Sequence, residues 1–334
     1  MDIKTAVSIC APAVSPRDVV PILKHLVCID RDLIASDSVT TVRARVNYPD
    51  FTCDAERMLY AMGTAQGSSE ARVKIADDRV SVTIGKFRCS MRSHDAATRA
   101  TYPCAPRPAP GRIAQALHVS GLCEVLRALC DVISTDATKV WSTGVLFDGK
   151  RMLATNNVVL AVADVPTALP NCIVPKRSIE QLLRVRDLLP NEQVSMVVEG
   201  NLVHFFIGPD VTVSSVLIAG EWPHVETLLA ACTPKTRMIA VPPSMVSAVE
   251  ALTRFVPAGF APVLRLSGAR VATREADTQA EMDLDGDETT VREFRGETLA
   301  LVLQHATEWD LEPFPNACAF RGPLLRGVFI GVRQ

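Results

Sequence analysis

The stretches RVSVTIGKFRCS (residues 79–90) and LVHFFIGPDVTVSS (202–215) share one grammar. Each runs apolar–polar in alternation, reaches Ile-Gly, turns, and alternates again toward serine. A strand–turn–strand reading follows from the period of two and from the glycine, which supplies a left-handed turn residue without strain. The second copy stands roughly 120 residues after the first, so internal repetition has to be settled before any local motif.

The flanks repeat as well. DAERMLYAMGTAQ (54–66) precedes the first hairpin with Met58, Leu59 and Met62 at helical spacing and Asp54 as an N-cap. PKRSIEQLLRVRDLLP (175–190) precedes the second, with an apolar stripe of Ile179, Leu182, Leu183 and Val185 and Pro175 in its first turn. Further upstream, PRDVVPILKHLVCIDRDLIASDSVTTVRARV (16–46) reads as a helix followed by strands. HVSGLCEVLRALCDV (118–132) with KVWSTGVLFDGKRMLATNNVVLAVADV (139–165) reads the same way. A fainter third copy runs through PPSMVSAVEALTRFV (242–256), the hairpin APVLRLSGARVATREA (261–276), GETLALVLQHA (296–306) and the closing strand GVFIGVRQ. TRATYPCAPRPAPGR (98–112), with four prolines, reads as the first linker, and ACTPKTR (231–237) marks the second. The expectation is an α+β chain of three repeated domains, 1–112, 113–234 and 235–334.

Composition narrows the function. Of 334 residues 48% are hydrophobic and 22% charged, enough to bury a sizeable core, and the net charge of −2 excludes a uniformly basic nucleic-acid coat. Ten cysteines form no CxxC and no histidine completes a zinc set, so they read as buried thiols in a reducing, cytoplasmic setting with no metal and no cofactor. The N-terminal residues suggest no signal peptide, and no apolar run is long enough to span a membrane. Phosphate-cradling glycine loops, G-x-S-x-G and H-E-x-x-H are all missing. Asp283 to Glu288 has its glycine too early for a calcium loop and reads as a solvated acidic turn. What the chain does carry is positive charge on helices: Lys176, Arg177, Arg184 and Arg186 on one, Arg127 and Arg254 on others. If those helices share one side of the sheets, they offer a basic surface to a phosphate backbone.

Three segments now acquire a joint meaning: GVLFDGKRMLATNNVVLAVADVP, NCIVPKRSIEQLLRV and VTVSSVLIAGEWPHVETLL, in that order. They resemble the bacterial DNA polymerase III beta subunit, or sliding clamp, family. IAGEWP matches its hydrophobic-x-Gly-x-aromatic-Pro hallmark, and RDVVPIL its Arg-x-x-hydrophobic-Pro-Ile-Leu. The resemblance implies three clamp-type domains, each with two helices packed on antiparallel sheets, in a head-to-tail homodimeric ring. It implies a non-catalytic processivity factor that encircles duplex DNA without reading sequence. The replicative polymerase and clamp loader would bind through short peptide motifs.

Carried over by position, the partner cleft would comprise Thr155, Asn157, Val158, Val159 and Leu160 on one wall. Pro223, Thr227 and Leu228 would form the floor, and Val328, Ile330, Val332 and Arg333 the C-terminal wall. DNA contacts would fall on Arg17, Lys139 and Trp141 besides the helix cations Lys176, Arg177, Arg184 and Arg186. Cys89 and Met91 on an edge strand would meet Phe255 of the second subunit. The chain departs from the family where Thr-Asp-Gly-His-Arg-Leu becomes Thr155-Asn156-Asn157-Val158-Val159-Leu160, and where Met-Pro-Met-Arg becomes Ile330-Gly331-Val332-Arg333. The adaptable methionines and a His-Arg pair are lost while the cleft stays apolar, a divergence that suits a phage- or plasmid-encoded member. The alternatives are a clamp-like decoy that binds clamp partners without encircling DNA, and an enzyme with an unrecognised site.

Overall fold

The computed structural model describes residues 1–15, 20–64, 71–76, 78–230, 238–256, 262–267, 269–274, 279–284 and 291–332. The chain forms two compact units, Met1–Cys123 with Val174–Leu217, and Glu124–Ile173 with Ile218–Gln334.

The first unit opens with α1 (Ile3–Cys10), β1 (His25–Ile29), β2 (Asp32–Ser36), β3 (Thr40–Arg45), β4 (Phe51–Asp54) and α2 (Ala55–Gly63). It continues through β5 (Ala71–Ala76), β6 (Arg79–Ile84), β7 (Phe87–Arg92), α3 (Ala96–Ala100), α4 (Pro110–Ile113) and β8 (Leu117–His118). The second unit holds most of α5 (Leu122–Cys130), β9 (Gly144–Thr155) and most of β10 (Val159–Pro175). The chain then returns to the first with α6 (Lys176–Leu188), β11 (Val194–Glu199), β12 (Leu202–Ile207) and β13 (Val211–Val216). It ends in the second with α7 (Glu226–Ala230), β14 (Ile239–Ala240), α8 (Ser244–Phe255), β15 (Val263–Leu266), β16 (Arg270–Thr273) and β17 (Glu281–Asp283). After these come β18 (Arg292–Arg295), α9 (Gly296–Leu303), β19 (Glu308–Asp310), β20 (Cys318–Arg321) and β21 (Arg326–Phe329).

In the first unit an eight-stranded sheet runs β4-β1-β2-β3-β13-β12-β11-β8, and β5-β6-β7 form a separate three-stranded sheet. Helices α1 and α6 pack on the large sheet at β3 and β13. In the second unit a six-stranded sheet runs β14-β19-β20-β21-β10-β9, and a four-stranded one runs β17-β16-β15-β18. No helix among the described residues is long and apolar enough to cross a membrane.

The repeated hairpins are β6–β7 and β12–β13. They turn at Gly85 with φ +56° and at Gly208 with φ +58°, left-handed positions that explain why both copies keep glycine after isoleucine. Each belongs to an antiparallel three-strand meander, and β19-β20-β21 is a third. Two of these meanders end on a seam. Strand β13 joins β3 with Val213 opposite Val42, and β21 joins the start of β10 with Val328 opposite Leu160.

The sequence reading of a helix near residue 16 needs correction. The N-terminal helix is α1, capped by the Asp2 carboxylate accepting from the Thr5 N–H at 3.0 Å and burying Ile3, Ala6, Val7, Ile9 and Cys10. Residues 16–19 lie outside the described ones, and Pro21–Lys24 make only a 3-10 turn ahead of β1. Pro21 cannot donate within an α-helix and holds Val20 extended, which denies that segment a helix interior. Elsewhere the periodic segments form the expected helices α2, α6, α8 and α9, and Asp54 caps α2 by accepting from Arg57 N–H. Pro175 stands at the N-cap of α6 rather than in its first turn. Cys10, Cys28 and Cys53 are free and buried, and burial raises their thiols, Cys28 to about 12.

Candidate functional site

Four of the residues expected to bind partners, Thr155, Val159, Leu160 and Val328, lie in strands of the six-stranded sheet of the second unit. Leu160 and Val328, opposite one another across β10 and β21, join a buried cluster with Leu146, Leu153, Val162, Ile173, Leu229 and Ala319. Trp141, Ile218, Trp222, Val225 and Met238 pack on its edge, half-buried. Helix α7 lies against β21, so Leu229 closes the cluster while Leu228 stays 46% exposed. Pro223 and Thr227 are exposed beside it, and Ile330, just past β21, is 44% exposed. A buried apolar cluster therefore carries several exposed apolar groups beside it, a composition suited to capturing apolar side chains.

The wall at 155–160 is built by a tight polar turn. Asn156 Oδ1 accepts from the N–H groups of Val158 and Val159 at 3.0 and 2.7 Å, and Thr155 Oγ1 donates to the Val159 carbonyl at 2.7 Å. Asn157 sits at φ +69°, a left-handed position that asparagine tolerates, so it serves where the family pattern has glycine. Strand alternation then puts Val158 on the same face as Leu160, and turns Val159, 1% exposed and paired with Phe329, to the opposite face. The Val158 carbonyl accepts from Ile330 N–H at 3.1 Å, tying the C-terminal wall to this turn. Val332 donates its N–H to the Glu293 carbonyl at 2.8 Å, and a Cβ on Gly331 would collide with the Phe314 ring. Arg333 lies outside the described residues.

Sequence reasoning did not single out Trp222. Its ring packs edge-on to Trp141 with centroids 5.1 Å apart, and its buried Nε1 has no hydrogen-bond partner among the described residues. An aromatic before proline in IAGEWP was the available signal. The same contact makes Trp141 part of this apolar wall. Lys139 is exposed and its Nζ reaches Asn157 Oδ1 at 3.2 Å.

On α6, in the first unit, the cations differ from one another. Arg184 is exposed and Lys176 half-exposed, whereas Arg186 donates to the Leu189 carbonyl at 2.8 Å and Arg177 forms an ion pair with Asp37. Arg17 lies outside the described residues. Cys89 and Met91 share a face of β7 and Phe255, at the end of α8, is 54% exposed.

Two sheets per unit, a meander joining an earlier strand at a seam in each, and helices packed on the large sheet of the first unit and on the four-stranded sheet of the second make up a fold shared with DNA sliding clamps. Solved structures agree. The chain superposes with TM-score 0.81 on the sliding clamp of Bartonella birtlesii, DNA polymerase III subunit beta, solved bound to griselimycin; identity is 19%, over 99% of this chain and 97% of that one. The Thermotoga maritima beta subunit gives 0.81 at 15% identity over 100% and 97%, and the Bacillus subtilis clamp 0.81 at 18% over 99% and 97%. No family model and no curated relative matches the sequence.

Proposed function

We propose that the chain is a non-catalytic sliding clamp, a DNA polymerase processivity factor built as a head-to-tail dimeric ring of three-domain subunits. The observation that carries this reading is an unfinished pattern in the sheets. A first-half strand and a meander's last strand meet at β3–β13 and again at β10–β21. The equivalent third pair, β17 and β7, are both outer strands of their sheets among the described residues. Open edges invite pairing, and a second copy supplies the complement at each end, which closes a ring by twofold symmetry. The side chains suit it. Arg88 and Arg92 stand on the exposed face of β7, opposite in charge to Glu281 and Asp283 on β17, which within the chain share Arg270 at 3.1 and 3.2 Å, while Cys89 and Met91 face inward as Met282 would. A ring of this kind needs only phosphate contacts with DNA, for which Lys139, Lys176, Arg184 and Arg186 are our candidates.

The apolar surface around Leu160, Val328, Leu229 and Ile330 would take a short partner peptide with apolar anchors, from a polymerase or a clamp loader. Burial of those anchors at about 25 cal/mol per Å², less the ordering cost, places the affinity in the micromolar range.

Light scattering at micromolar concentration tests the ring: the expected mass is twice the 36.2 kDa of one chain, and a monomer would overturn it. Peptide titration against Ile330→Asp tests the cleft, with loss of binding expected and unchanged affinity placing the partner site elsewhere. Ile330 is the better position because Leu160, 5% exposed, cannot accept a charge without damage to the core. A dimer that binds peptide but is not retained on circular duplex would favour the decoy reading.

A further inference from the structure

The face of the eight-stranded sheet turned away from α1 and α6 carries a cavity of about 650 Å³ that the function above does not use. Its floor comes from β2, β3, β12 and β13, and its roof from the proline-rich segment 107–116. Polar residues alternate with apolar ones along β3, which puts Arg43 and Arg45 on this face while Val42 and Ala44 enter the core. That volume lies in the range of small-molecule sites.

The charge in the cavity is unbalanced. Arg43, Arg45 and Arg107 face Asp32 and Asp210. Arg107 holds Asp32 at 2.8 Å, and Asp210 lies 3.7 Å from the Met1 amino group. Neither Arg43 nor Arg45 has an ion pair among the described residues. Arg43 is only 8% exposed; its Nη2 donates to the Ala105 carbonyl, and its Nε has no partner. A guanidinium buried without a carboxylate is costly, and the cost is relieved by whatever anion enters beside it. Arg45 is exposed and free to close on the same ligand. The Phe206 ring and the 47%-exposed Ile113 add apolar surface on floor and roof.

We infer that this cavity binds a small organic anion, with a carboxylate or phosphate head between Arg43 and Arg45 and a flat apolar body against Phe206 and Ile113. The geometry asks for both parts. The head answers the unpaired guanidinium, and the body fills a volume that a bare ion leaves wet.

The test uses the full chain and phenyl phosphate as probe, followed by calorimetry and by the NMR signals of Arg43, Arg45 and Phe206. Saturable binding is expected, weakened by salt and reduced about 10-fold or more in Arg45→Gln, since a charge-assisted hydrogen bond of that kind is lost. Arg45 is exposed, so this variant should fold as the parent does. Benzyl alcohol, which has the body without the charge, should not compete, and inorganic phosphate should bind more weakly. No saturable shift by about 10 mM, well above the millimolar range of a minimal ligand, would overturn the site. Equal affinity in Arg45→Gln would overturn the role of the arginines, and equal affinity for inorganic phosphate that of the apolar wall.

Discussion

The seam between β3 and β13 and the outer strand β7 are built from the same repeat, yet they differ in what covers them. At the seam, Val213 and Val42 face each other with no exposure, and the neighbouring Phe205 on β12 is fully buried. On β7, burial alternates instead with Arg88, Ser90 and Arg92 in water. A meander whose last strand has found its partner turns into core, and one that has not keeps cations along its edge, as edge strands do to avoid promiscuous pairing. In the ring we propose the third seam is intermolecular, and the charged face of β7 is what an edge strand needs until a partner strand covers it.

The largest expected effect breaks the closed side of this comparison. Phe205→Ala should cost about 3–5 kcal/mol, the range for a buried aromatic truncated in a packed core. Chemical denaturation would show that loss unchanged with protein concentration, because the seam lies within one chain. A concentration-dependent loss would mean that this seam too depends on assembly.

The open side responds differently. Arg88→Glu combined with Arg92→Glu should leave the circular dichroism spectrum intact and weaken the dimer by about 1–3 kcal/mol, since like charges then face Glu281 and Asp283 across the strand pair. Sedimentation at several concentrations measures it. Restoration by Glu281→Lys with Asp283→Lys would locate the contact, and a dimer indifferent to both changes would remove β7 from the interface.

How far the sequence carried this picture depends on the scale of the signal. The two Ile-Gly hairpins, the α6 stripe and the Asp54 cap are local and periodic, and all three appear in the structure where the pattern puts them. Helix α1 was overlooked because its eight residues sit before two prolines and the louder apolar run Val19 to Leu26 drew the helix to the wrong place. The short strands β14, β19 and β20 carry too few residues for a period to show, and tertiary pairing alone defines them. At the candidate site, Leu160 and Val328 were expectations of the resemblance, and that they pair across β10 and β21 in one buried cluster is a tertiary fact; that Leu229 rather than Leu228 enters this cluster depends on the rotation of a five-residue helix. The arginine cavity was legible only in part: TVRARV shows the alternation, but the proline-rich roof over it is a tertiary fact.

Acidification probes both units at once. His204, hydrogen-bonded to Ser214 Oγ at 2.8 Å, and His305, near Asp131 at 3.5 Å, both have pKa values below the ordinary 6.5, chiefly because burial disfavours the charged ring. The unfolded chain then binds the protons more tightly, so their contribution to stability is complete above about 6.5 and declines as pH falls through the folded values. Melting temperature should drop between pH 7.5 and 5.5, less so in His204→Gln, which keeps a hydrogen-bonding side chain without the charge. An equal drop in the variant would assign the pH response to other groups.

The smallest effect concerns DNA, where the two regions should differ again. Arg184 on α6 is exposed and unpaired among the described residues, while Arg177 on the same helix is committed to Asp37. Each cation that replaces a condensed counterion on duplex DNA adds about 0.9 to the slope of log affinity against log salt. Arg184→Ala should therefore lower that slope by about one unit at most, uniformly over DNA sequences, with no change in dimer mass. Arg177→Ala should leave the slope alone and act on stability instead, through the Asp37 carboxylate that it abandons in a largely buried position. Fluorescence anisotropy over a salt series on two unrelated duplexes separates the two. Should Arg177 govern the slope and Arg184 not, the DNA-facing side of α6 is the opposite of the one assigned, and the phosphate contacts must be sought on the face around Asp37.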